Sequence, residues 1–127
     1  MQDNISLWGL MLPLRTELKQ FVNVRPVRIL RGVESPIKNM PPEWINWVII
    51  RENSEGEYSG HGGITHADEP FGVATDVSIF TRAAIERIFR FAFETAKSRP
   101  KRKLTMVTKS NAQKWGMVYC KFRLYMS

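Results

Sequence analysis

Arg15 and Arg25, inside LRTELKQFVNVRP, and Arg51 and Tyr58, inside RENSEGEY, are the side chains of this sequence best suited to chemistry on a small anion. Three permanently charged, forked donors can hold a dianionic acid in one orientation, and a phenol beside them can move a proton. A further segment, VTKSNAQ, adds Lys109 and Asn111. In chain order these segments suggest one half of an active site. Other chemistries lack their signatures: there is no G-x-G-x-x-G dinucleotide loop, no G-x-x-x-x-G-K-[ST] phosphate loop and no G-x-S-x-G nucleophile turn. His61 and His66 read as ordinary loop histidines rather than metal ligands.

The elements that must position these residues follow from local patterns. Pro13 can open a short helix with Leu14, Leu18 and Phe21 or Val22 on one face and Arg15 on another. Val22 to Leu30 reads as a strand, and Pro26 within it argues for an edge. Trp44 to Ile50 (WINWVII) fits a fully buried strand of a parallel sheet, which would put Arg51 at its carboxyl end, where open α/β sheets place ligand-binding groups. The polar, glycine-rich stretch from Ser54 to Gly72 reads as an arm or long hairpin leaving the core. Thr81 is a suitable N-cap for a helix with the apolar stripe Ile85, Ile88, Phe89, Ala92, Phe93 and Ala96, a Glu86–Arg90 pair on its wet side and Pro100 as its stop. Leu104 to Thr108 (LTMVT) reads as a short strand, so the alternation implies a right-handed parallel βαβ unit.

With 127 residues, 43% of them apolar, the chain suits one globular domain, and its formal charge of +7 favours anionic partners. The basic run Lys97 to Lys103 follows a helix, where cations complement the dipole and stay solvated, so no nucleic-acid partner is expected. A single cysteine, Cys120, excludes an internal disulfide framework and points to a reducing compartment. The apolar stretch Leu7 to Leu14 is too short to span a bilayer and lacks signal-peptide flanks. A cytoplasmic protein without a membrane partner is expected.

The segments LRTELKQFVNVRPVRIL, WVIIRENSEGEYSG and LTMVTKSNAQ resemble, in this order, the β-decarboxylating dehydrogenases, the family of isocitrate, isopropylmalate and tartrate or D-malate dehydrogenases. ISLWGLMLP, SEGEYSGHGG and FAFETAKSRPKRKLTMVTKSNAQ look most like the tartrate dehydrogenase branch. The resemblance implies an α/β fold of the isopropylmalate dehydrogenase-like three-layer αβα kind, here an incomplete fragment with a protruding arm. Residues 1–21 would end the larger cofactor domain, 22–118 would form most of the smaller, dimer-forming domain, and 119–127 would be a tail outside the family pattern.

It further implies that Arg15, Arg25 and Arg51 bind the malate core of the substrate, and that Tyr58 protonates the enolate left after carbon dioxide departs. Lys109 would be the base for the substrate hydroxyl on the neighbouring subunit's site, with Asn111 near the nicotinamide. The implied reaction is NAD-dependent oxidation of a small 2-hydroxy dicarboxylic acid of the tartrate or D-malate type, followed by β-decarboxylation assisted by Mg²⁺ or Mn²⁺. Specificity would be read from the turn Leu7 to Met11, a bulky apolar pocket edge. The family's opening G-D-G-I-G turn, its metal-binding aspartates and its adenosine-binding glycines find no counterpart in this sequence. The chain is therefore expected to be inactive alone and to form a homodimer or pair with a full-length relative. The alternative is a non-catalytic dimerisation or interaction fragment.

Overall fold

The computed structural model describes residues 3–125, with side chains from 5 to 121. Helix α1 (Asp3–Ser6) runs into one π-helical turn (Leu7–Met11) and on into α2 (Leu12–Glu17), with the Leu12 N–H reaching back to the Leu7 carbonyl. The turn expected over Leu7–Met11 is thus helical: leucine and methionine are strong helix formers, and the surplus residue is absorbed as a π turn. The helix stops at Glu17, earlier than the apolar spacing implied, and Leu14 and Leu18 stay exposed. Lys19 takes a positive φ of 50°, and the chain turns into the first strand.

Strand β1 (Val22–Arg28) pairs antiparallel with β2 (Asn46–Glu52), from Val22↔Glu52 through Arg25↔Ile49 to Arg28↔Asn46. This corrects the expectation of a buried parallel strand at Trp44–Ile50. Pro42–Trp44 forms a single 3-10 turn, and Trp47 and Ile49 on the outer face of β2 are 43% and 49% exposed. A continuous apolar run cannot distinguish a strand covered on both faces from one with a bare face, because both satisfy the same pattern. The edge character given to Pro26 suits the ribbon, since the proline has no N–H for a ladder bond.

Strands β3 (Gly56–Thr65) and β4 (Val73–Ile79) form a second antiparallel pair, the protruding arm, with an irregularity between Gly56 and His61. Past it, where Gly62 pairs with Asp76, glycine is required, because a Cβ would stand 2.1 Å from the Thr75 carbonyl oxygen.

Helix α3 (Arg82–Ser98) starts as its sequence dictates: the Thr81 hydroxyl accepts the Ala84 N–H at 3.2 Å. Ala84, Ile85, Ala92 and Ala96 of its inner stripe, with Ile45 ahead of β2, form the buried core, and α3 lies against β2 and α4 (Gly116–Tyr125). Glu86 takes the Arg82 Nε at 2.7 Å, one turn before the Arg90 expected to pair with it. Beyond Pro100, residues 104–108 join no ladder and Val107 is 91% exposed. A strand needs a hydrogen-bonding neighbour, and no described strand lies beside this one, so the expected βαβ unit does not form among the described residues. The segment read as a separate tail from Tyr119 continues α4 to Tyr125; Met126 and Ser127 lie outside the described residues, as do Met1 and Gln2 of the first expected domain.

Candidate functional site

Directly opposed residues of an antiparallel pair point to the same face. The β1–β2 register therefore places Asn23, Arg25 and Val27 on one face with Arg51, Ile49 and Trp47, while Val22, Val24 and Pro26 share the other with Glu52, Ile50 and Val48. Arg25 and Arg51 are diagonal neighbours, and the Arg51 guanidinium lies over the Tyr58 ring at 4.9 Å, a cation–π contact. Arg25, Arg51 and Tyr58 therefore meet on one side of the ribbon.

Asn53, only 7% exposed, ties this group to the helix that carries Arg15. Its N–H donates to the Phe21 carbonyl at 2.9 Å, and its Nδ2 donates to the Gln20 carbonyl at 3.0 Å. The Gln20 N–H in turn donates to the Arg15 carbonyl at 2.9 Å. On the other side, Asn53 Oδ1 accepts from Asn23 Nδ2 at 3.4 Å, and Asn23 Oδ1 accepts from Arg25 Nε at 3.1 Å. One buried amide thus connects the segments of all three arginines. Sequence reasoning missed it, although it stands two residues after Arg51 in a turn-forming motif.

The turn from Arg51 to Tyr58 is held from behind by two carboxylates. Glu52 accepts from the Ser54 N–H at 2.8 Å, the Ser54 hydroxyl at 2.6 Å, the Glu55 N–H at 2.7 Å and Arg87 Nη2 at 3.0 Å. Burial alone would raise the pKa of Glu52, but these hydrogen bonds outweigh it and hold its carboxyl below the usual range. Glu55 receives the Thr81 N–H and hydroxyl, each at 2.7 Å, which fastens the turn to the start of α3.

Lys109 and Asn111 lie elsewhere, both exposed on a turn closed by the Ala112 and Gln113 N–H groups on the Lys109 carbonyl, each at 2.9 Å. Gln113 Nε2 donates to Glu57 at 2.9 Å, so this turn is pinned to β3 beside Tyr58. The structure does not place Lys109 or Asn111 on the arginine face. One hollow is lined by the loop from Gly32 to Pro42 and another of about 340 Å³ by residues including Phe21, Arg87, Arg90 and Phe91, and neither includes Arg25, Arg51 or Tyr58. On the arginine face Arg25 is exposed and Arg51 half-buried.

Among the described residues the ion pairs are Arg82–Glu86 and Arg87–Glu52, so neither uses Arg15, Arg25 or Arg51. No group of three or more His, Cys, Asp and Glu among the described residues could hold a metal ion, so this chain's described side chains do not fit Mg²⁺ or Mn²⁺. One exposed amide, Asn111, likewise makes no cradle for a dinucleotide. Burial pushes the Cys120 thiol up, with the charge of Glu55 acting in the same direction, so it is no ready nucleophile. No helix among the described residues is long and apolar enough to cross a membrane.

Comparison with known proteins gives a consistent result. The family model for isocitrate/isopropylmalate dehydrogenase matches residues 5–123. The chain is 55% identical over 116 residues to a "Probable tartrate dehydrogenase/decarboxylase" of Agrobacterium vitis, covering 91% of this chain and 32% of that protein. It is 46% identical over 117 residues to the decarboxylating D-malate dehydrogenase of Escherichia coli strain K12, covering 92% and 32%. The crystal structure of isocitrate dehydrogenase from Methylococcus capsulatus superposes with a TM-score of 0.75 at 31% identity, covering 89% of this chain and 32% of that one. The chain spans about a third of the length of the curated relatives it matches.

Proposed function

The chain belongs to the isocitrate/isopropylmalate dehydrogenase family, and on that premise we propose that it supplies the diacid-holding part of a site for oxidation and β-decarboxylation of a small 2-hydroxy dicarboxylic acid. The tartrate and D-malate dehydrogenase names of its relatives favour a substrate of that size. The single observation that carries the reading is the open face where Arg25 and Arg51 stand beside Tyr58 with no carboxylate of the described residues neutralising them.

On this reading Arg25 and Arg51 grip the carboxylates of the diacid, and Arg15 closes on it from α2. Each charged hydrogen bond contributes about 1.5–3 kcal/mol, enough in combination to offset the dehydration of a small dianion. Tyr58, oriented by the guanidinium over its ring, holds the proton delivered to the substrate carbon. Lys109, on its separate exposed turn, serves as the base toward the site of a neighbouring subunit, and Asn111 stands near the nicotinamide of NAD there. The described side chains offer no chelate for the divalent metal and no cradle for the dinucleotide, so turnover requires elements beyond them.

The test is titration of the purified chain with D-malate and tartrate, followed by an assay with NAD and Mn²⁺. Saturable binding of either diacid without turnover is the expected result. Failure to bind any small dicarboxylate rejects the assignment.

A second reading rests on the arm, where Ile64, Phe71, Val73 and Val77 are 69%, 63%, 53% and 51% exposed. An apolar surface of this kind supports a dimerising role, through a second copy of this chain or a full-length relative.

A further inference from the structure

Arg87 was not among the residues that sequence reasoning singled out, yet it touches every segment that bears a candidate arginine. It projects from the middle of α3 to the rear of the β1–β2 ribbon, opposite the face of Arg25 and Arg51. Its Nη2 donates to Glu52 at 3.0 Å and makes a short bond to the Ser54 hydroxyl. The same guanidinium lies over the Phe21 ring at 4.6 Å.

Phe21 stands between the helix of Arg15 and the strand of Arg25, and its carbonyl receives the Asn53 N–H. Glu52 and Ser54 flank Asn53 on either side and lead from Arg51 to Tyr58. One planar guanidinium therefore touches both sides of the Asn53 junction, Nη2 bonding Glu52 and Ser54 while its face covers Phe21. A lysine ammonium could meet Glu52 and Ser54 as Nη2 does, but it has no planar face to lay on the Phe21 ring.

We propose that Arg87 is the positioning residue of the diacid site. From the back of the ribbon it fixes the end of the Arg15 helix against the Arg51–Tyr58 turn, so that Arg25, Arg51 and Tyr58 meet one dicarboxylate in a set geometry. This rests on the dicarboxylate reading above. Arg87 contacts no substrate, and its effect passes through Glu52, Ser54 and Phe21.

The experiment uses the 127-residue chain, with D-malate as the probe and NMR as the readout, below the unfolding transition of every variant. Arg87→Gln is expected to weaken D-malate binding about tenfold, since small misplacements far from the chemistry carry large penalties. It should also shift the Tyr58 ring resonances and speed exchange of the Asn53 amide. Arg87→Lys should fall between Arg87→Gln and the unchanged chain. Lys97→Gln, exposed in the last turn of the same helix, should leave affinity and spectra as they are.

A folded Arg87→Gln chain with unaltered affinity and an unaltered Tyr58 spectrum overturns the proposal. Should Arg87→Gln fail to fold, Arg87→Lys decides in the same way. If the unchanged chain binds no D-malate, the dicarboxylate reading falls, and the Tyr58 and Asn53 signals alone judge the clamp. Moved by Arg87→Gln but not by Lys97→Gln they support it; unmoved, they refute it.

Discussion

Asn53 shows how much can depend on a single small amide. It is buried and uses its Nδ2 and its Oδ1 as well as its backbone N–H, so loss of the side chain would leave the Gln20 carbonyl and the Asn23 amide without these partners. Asn53→Ala should lower unfolding free energy by about 1–3 kcal/mol, the usual cost of orphaning buried polar groups, and urea denaturation measures it. Arg51 has a different kind of importance: it sits half-buried with its charge held over an aromatic ring and paired with no acid among the described residues. Arg51→Gln should therefore leave stability nearly unchanged while weakening dicarboxylate binding about ten- to a hundredfold, from the loss of about 1.5–3 kcal/mol. Parallel calorimetric and thermal-melt measurements separate the two effects.

Among the elements, the turn from Glu52 to Gly56 joins the ribbon, the arm and α3. Glu52 has a folded-state pKa below its ordinary 4.5, so its contribution to stability is complete above that value. It is lost as pH falls through the lower folded-state pKa. Acid titration of the unfolding midpoint should show this loss below about pH 4.5, and Glu52→Gln should remove that part of the pH dependence. The junction of α3 with α4 depends on contact rather than charge. A Cβ on Gly116 would stand 2.3 Å from the Phe80 ring, which also lies 3.9 Å from the position of a Cβ on Gly56. Gly116→Ala must displace that ring, and a cost of about 1–3 kcal/mol is expected from overpacking. Thermal melts check it, and an unchanged midpoint would show that the ring moves freely.

For the whole molecule the decisive quantity is surface. The chain exposes 10733 Å² at 14.7 kDa, whereas a compact monomer of that mass exposes about 6,900 Å². Among the described residues the buried apolar ones are Ile45 and four residues of α3, while Trp44, Trp47, Ile49, Phe71 and Trp115 face solvent. So small a core supports only marginal stability, and bare apolar faces associate. Sedimentation velocity across a range of concentrations should show self-association, favoured by salts that strengthen apolar burial. A monodisperse monomer at every concentration would contradict this.

The sequence by itself determined what is local: the Thr81 cap and most of the α3 stripe, of which only Phe93 lies exposed, the hairpin arm, the strand carrying Arg25 and the family, which lives in short motifs of charged residues. Those features are legible because capping, periodicity and motif spacing are written in neighbouring residues. Only the tertiary structure decided that WINWVII pairs antiparallel with one bare face and that LTMVT remains unpaired, because burial and ladder partners are supplied by chain remote in sequence. It also decided that Arg25 and Arg51 share a face beside Tyr58, with Lys109 on a separate exposed turn. That placement comes from strand register and from the bonds of Asn53 and Arg87, contacts between residues some thirty positions or more apart, which no local pattern records.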